Sequence, residues 1–205
     1  MFKLLLLFTH LLGTSLALGA IVATDIRLLR RLADDRVRIA PPNPYVMRLI
    51  TLALIVLYAS GAALIGLGLL DDPEFLANPK LQGKLMLVAV LTVNALVLHH
   101  ITFPGLARGR RVARWKLRDF ARVAVPVALS NCLWMYCAFL GIARPWNFQV
   151  TLGFVLGTAG WLCAATLAVV SAVLVIAAQD RTGAEPGLID GLKRQLGALA
   201  TALRA

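Results

Sequence analysis

Hydrophobic positions along this chain gather into five long runs, separated by short polar, proline-bearing or basic stretches. They lie near Leu4–Thr24, Val46–Leu70, Leu85–Phe103, Val123–Ile142 and Phe148–Ala178. A helix rises about 1.5 Å per residue and a bilayer's hydrocarbon is about 30 Å thick, so roughly 20 apolar residues span it. The pattern therefore predicts an all-α, polytopic membrane protein with five transmembrane helices in a bundle. The fifth run is long enough to tilt or to begin in the interface. The first also has features of a signal peptide: Lys3, a leucine run and a small-residue site at Ala17-Leu18-Gly19. Its apolar character continues to Ala23, however, and His10 interrupts it, so it is expected to be retained as a span.

Between the runs, proline and glycine mark the connections. Pro41, Pro42 and Pro44 give a stiff link after the first span. Asp71-Asp72-Pro73-Glu74 reads as a solvated acidic loop with a helix cap, and Asn78-Pro79 leads into the third span. Past Ala178 the chain turns polar, and then Leu188, Leu192, Leu196, Leu199 and Leu203 recur at spacings of four and three. That stripe predicts a short amphipathic helix on the membrane face, interrupted by Gly191 and Gly197. The expected organisation is a five-helix transmembrane domain over residues 1–180 and a cytoplasmic tail over 181–205. Small-residue pairs (Gly153/Gly157, Gly13/Ala17, Ser15/Gly19, Ala62/Gly66) are read as close packing within the bundle, with homo- or hetero-oligomer contacts as the alternative.

Composition agrees with this reading. The chain is 60% hydrophobic and only 15% charged, with a mean hydropathy of +0.79. A net charge of +11 suggests nucleic acid in a soluble protein, but here the basic residues crowd into one set of loops. One side carries Arg27 to Arg48, Arg108 to Arg122 and Arg181 to Arg204; the other has only Lys3, Lys80, Lys84 and Arg144. The positive-inside rule then places the amino terminus outside and the carboxyl terminus in the cytoplasm, as an odd number of spans requires. Anionic lipid at the cytoplasmic face, not nucleic acid, is the expected counterpart of the basic loops. Cys132, Cys137 and Cys163 all lie in apolar runs without a CxxC spacing and read as buried packing residues. There is no Walker loop, no strand-to-helix GxGxxG and no HExxH, which leaves soluble nucleotide-enzyme and hydrolase readings without support.

Polar groups inside a bilayer are costly and are the default functional candidates. Counting helical rise from the outer surface puts His10 about 9 Å deep, Lys84 at the rim, Asn94 about 15 Å and His99 about 22 Å deep. Three layers follow. His10 faces Lys84, whose stem can snorkel. Asn94 lies level with Ser130 and Asn131. Asp25 and Arg27, read as an ion-pair and topology device, group with His99 and His100. His10 and His99 differ by about 13 Å in depth, so they are not expected to share one haem iron.

These residues carry a resemblance. His10-x-x-Gly13, Gly19 and Asp25-Ile26-Arg27-Leu28-Leu29, followed by Lys84, Asn94 and His99, resemble an uncharacterised family of bacterial integral-membrane proteins over roughly residues 8–103. More loosely, the histidine of the first span and the lysine opening the third are similar to copper-resistance D-type proteins and to HemJ-type protoporphyrinogen oxidases. The latter implies b-haem at His10 and Lys84; the former implies copper, without the expected methionine enrichment. Residues 120–205 carry no motif of either. The leading expectation is a bacterial inner-membrane protein binding haem b or a metal ion such as copper, with His10, His99 and His100 as candidate metal ligands. The alternatives are a small transporter with the polar layers as its path, and a non-catalytic subunit of a membrane complex. Whether it is an enzyme is left open.

Overall fold

The computed structural model describes residues 1–32, 41–107, 112, 115–177 and 188–202. Arg36, Arg38, Arg108, Arg110, Arg111, Arg114 and Arg181 lie outside the described residues, as do 178–187 and 203–205 at the two ends of the tail.

Each described element is helical: α1 (Phe2–Leu32), α2 (Pro44–Asp71), α3 (Pro79–Val97), α4 (Phe103–Ala107), α5 (Leu117–Ile142), α6 (Leu152–Ala177) and α7 (Leu188–Ala202). A π-helical turn, Leu98–Thr102, joins α3 to α4. Five stretches, Phe2–Arg30, Pro44–Asp71, Pro79–Ala107, Leu117–Ile142 and Leu152–Ile176, are long and apolar enough to cross a membrane. The third begins earlier than the hydrophobic run alone suggests. Asn78 caps it by accepting from the Lys80 N–H at 3.1 Å, and Pro79 occupies the first turn, where its missing N–H costs nothing. Asn43 and Pro44 open α2 in the same manner.

Helices α1 and α2 pack along each other, and an ion pair between Lys3 and Asp71 joins the start of one to the end of the other. Helix α5 packs against α6, and α3 contacts both. Leu87, Leu91, Leu133, Leu140 and Val155 form the core of this arrangement, together with Ala17 and Ala53 from the α1/α2 pair. A second cluster, with Leu106, Val112, Trp115, Val123 and Leu174, includes the partly buried Leu192 of α7. The outward surface remains apolar: Leu52, Ile55, Trp161, Val169 and Ile176 are all exposed. Such a surface is a liability in water, whereas hydrocarbon solvates it well.

Close approach falls on a glycine that the small-residue pattern does not single out. A methyl group on Gly83 of α3 would lie 2.6 Å from Val155 Cγ1 of α6, and Val155 is fully buried. Of the predicted pairs, a methyl group on Gly13 would lie 3.4 Å from Leu57, and Ala17 is fully buried. Gly153 and Gly157 do not serve as expected: no described atom lies within 4 Å of a Cβ at Gly157, and Gly153 meets only Thr151, at 4.0 Å. The reason is position: Val155, between them in sequence, is the residue that α6 turns toward α3.

The tail is helical through Gly191 and Gly197. It is tied to α5, because the Gln195 side chain accepts from the Leu117 N–H at 2.9 Å. The first N–H groups of a helix have no partner within it, so α7 supplies one for α5.

Pro126, inside α5, creates the opposite need. Proline has no N–H to give the carbonyl four residues back, that of Arg122. The Thr102 hydroxyl, on the π-helical turn, donates to that carbonyl at 2.8 Å. One turn further along, the Asn94 side-chain amide donates to the Pro126 carbonyl at 2.9 Å. Both donors are buried. Neighbouring side chains thus serve the backbone that the proline disturbs, as an apolar surrounding demands.

Candidate functional site

His10 lies half-buried between α1 and α2, with its Nδ1 2.8 Å from the Ser60 hydroxyl. Ser60 is buried, and its Oγ lies 2.6 Å from the Val56 carbonyl, which can only accept. A hydroxyl has a single proton. Once that proton is given to Val56, Ser60 accepts from His10, which puts a proton on Nδ1; in the neutral imidazole Nε2 then carries the lone pair. Gly61 makes room for the ring: a methyl group there would lie 3.5 Å from His10 Cε1.

Lys84 projects from α3 toward α5, where a methyl group on Gly141 would approach its Nζ to 3.3 Å. It makes no hydrogen bond to any of the described residues. Lys80, one turn earlier, had no role in the sequence-based layers. It is buried and donates to the Ala143 carbonyl at 3.0 Å, closing the carboxyl end of α5 where the helix dipole favours a cation. The signal for it was its four-residue spacing from Lys84, which puts both amines on one face of α3.

The remaining layers regroup. Asn94 does not meet Ser130 and Asn131; its partner is Pro126, four residues earlier on α5. Ser130 and Asn131 instead join Asp25 at a cavity of about 290 Å³. Asn131 lines the cavity with Asp25 and donates to the Val127 carbonyl at 3.2 Å. The depth count slipped by a turn, and α5 begins at Leu117, ahead of the apolar run. Arg27 lines the same cavity, yet no ion pair joins it to Asp25 among the described residues. Two residues apart, their side chains leave α1 on nearly opposite sides.

His99 and His100 do not join Asp25 and Arg27. Both sit exposed in the π-helical turn with ring centroids 5.3 Å apart, edge to face. His100 lines a separate cavity of about 230 Å³ with Asp119 and Arg122. The wider π turn re-aims side chains from where α-helical counting puts them. His10, Asn94 and His99, the residues of the suggested transport path, therefore occupy three separate environments. Among the described residues, no three His, Cys, Asp or Glu side chains gather as a metal-binding group, so the candidate metal set of His10, His99 and His100 is not assembled.

Cys132 and Cys163 meet across the α5/α6 seam, with sulfurs 3.2 Å apart. Cys132 and Cys137 are buried and Cys163 half-buried, as expected of packing residues. Nearby, Tyr136, Phe139, Trp146 and Phe154 form a continuous aromatic chain, and the Tyr136 hydroxyl donates to the Val155 carbonyl at 3.1 Å.

Comparison with protein-family models, with curated proteins and with solved structures finds no match to this chain.

Proposed function

We propose that this chain is a multi-pass protein of the bacterial inner membrane, amino terminus outside, which holds haem b through His10 in a redox or cofactor-handling role. The observation that supports the reading is the Ser60–His10 contact, which puts a proton on Nδ1, so that the neutral imidazole would offer Nε2 to iron. An outer partner that fixes the tautomer and orientation of a histidine is the usual companion of a metal-ligating imidazole.

Haem is favoured over a bare ion by the ligand supply. Copper or zinc bound by protein alone needs three or four side-chain donors, and the described residues bring no such group together. A porphyrin brings four nitrogens of its own and asks the protein for one or two axial ligands. Lys84, which makes no hydrogen bond to the described residues, would pair with a haem carboxylate or, when deprotonated, serve as a second ligand. A half-buried ammonium among apolar helices favours a partner of opposite charge. The resemblance of His10 and Lys84 to the histidine and lysine of HemJ-type proteins points the same way.

The test is an absorption spectrum of the full chain purified in mild detergent, with elemental analysis for iron and copper. A Soret band that His10→Ala removes and the His99→Gln/His100→Gln double variant retains is expected. A folded, monodisperse sample that shows no Soret band and takes up none on haemin titration would overturn the proposal. Stoichiometric copper without haem would redirect it.

A further inference from the structure

The cavity at Asp25 is separate from the His10 site and invites a different ligand. It lies between α1, the start of α2, the junction of α3 and α4, and α5. Most of its wall is apolar, including Leu28, Ile50, Leu54, Leu91, Val127 and Trp134. Its polar groups are few and of opposite sign. The Asp25 carboxylate lines the cavity together with the Asn131 amide, and its two oxygens offer several acceptor positions. The Ser130 hydroxyl makes no hydrogen bond to the described residues. Arg27 and Asn43 line the cavity and are both exposed, so it reaches the molecular surface at their end.

Two residues apart on α1, a carboxylate and a guanidinium do not face each other and so leave each other unsatisfied. Here both line one cavity without pairing, inside an apolar wall in the end portion of a membrane-crossing bundle. A ligand that satisfies both carries an ammonium and an anionic group close together, with an apolar body. We infer that this cavity binds the head of a zwitterionic amine lipid, a phosphoethanolamine-headed phospholipid, with its ammonium on Asp25 and its phosphate on Arg27. The N–H donors of a primary ammonium match the open carboxylate sites, and a bidentate guanidinium matches phosphate. The cavity takes the head and glycerol, and the acyl chains lie along the exposed apolar helices.

Native mass spectrometry of the full chain, delipidated in mild detergent and titrated with single lipids of identical acyl chains, tests this. Phosphatidylethanolamine should bind at least tenfold more tightly than phosphatidylcholine, whose quaternary nitrogen has no N–H to donate, and than phosphatidylglycerol, which has no amine. Mono- and dimethylated phosphatidylethanolamine should fall between in order of remaining N–H groups, a series that needs no variant. Asp25→Asn should abolish the preference for ethanolamine over choline, and Arg27→Gln should weaken binding of both. Free glycerophosphoethanolamine should not displace the lipid at equal concentration; displacement would identify a soluble ligand and overturn the lipid assignment. Equal binding of the methylation series, or a preference for phosphatidylglycerol unaffected by Arg27→Gln, would also overturn it, the latter by showing that the basic loops recruit anionic lipid unaided. Neither result bears on haem at His10.

Discussion

Thr102→Val isolates the link between α5 and the π-helical turn. Thr102 is 1% exposed, and its hydroxyl is 2.8 Å from an Arg122 carbonyl that Pro126 cannot serve. Valine keeps the side-chain shape and removes the donor, so the carbonyl loses its partner. Stranding a buried acceptor costs about 1–3 kcal/mol in water-soluble proteins. Interhelical hydrogen bonds within membranes average about 0.6 kcal/mol and reach about 2. An expected loss of about 1–2 kcal/mol follows. Pro126→Ala supplies the missing N–H within α5, so Thr102→Val in that background should cost less than half as much. Denaturation in mixed detergent micelles, followed by circular dichroism across the four proteins of the cycle, measures the coupling. If Thr102→Val costs the same with and without Pro126, the hydroxyl is not compensating for the proline and the reasoning fails.

Other substitutions probe the remaining joints. Lys80→Met should destabilise by about 1–2 kcal/mol through loss of the bond to Ala143, while Lys80→Arg retains most of it; equal denaturation midpoints for the two would contradict the capping role. Gly83→Ala forces a methyl against the immobile Val155 and should cost about 1–3 kcal/mol, whereas Gly157→Ala, facing open space, should be within about 0.5 kcal/mol of the parent. A large cost at Gly157 in a monomer would refute the packing assigned to α6.

Much of the architecture is legible from hydropathy, because a helix that must cross hydrocarbon has a length and composition fixed by the bilayer. The tail also announces itself through its leucine spacing, although its Gln195 contact with α5 does not. Side-chain partners are harder to read. Summed helical rise assumes regular helices starting where hydrophobicity starts, and Asn78-Pro79, Pro126 and the π-helical turn each break that assumption. Hence Asn94 meets Pro126, Asn131 shares a cavity with Asp25, and the paired histidines stand apart from both. Ser60 is absent from the sequence reading altogether, since a lone serine in an apolar run has no pattern that marks it as the partner of a histidine fifty residues away.

The functional reading turns on which nitrogen of His10 holds its proton. His10, His99 and His100 are the three histidines of the chain, so His99→Gln/His100→Gln leaves His10 as the sole source of imidazole signals in 15N-histidine-labelled protein. Solid-state NMR of that protein, free of haem and in lipid, should show a protonated Nδ1 and an unprotonated Nε2, with the Nε2 resonance displaced when haemin is added. A protonated Nε2, or an Nε2 resonance indifferent to haemin, would contradict the account.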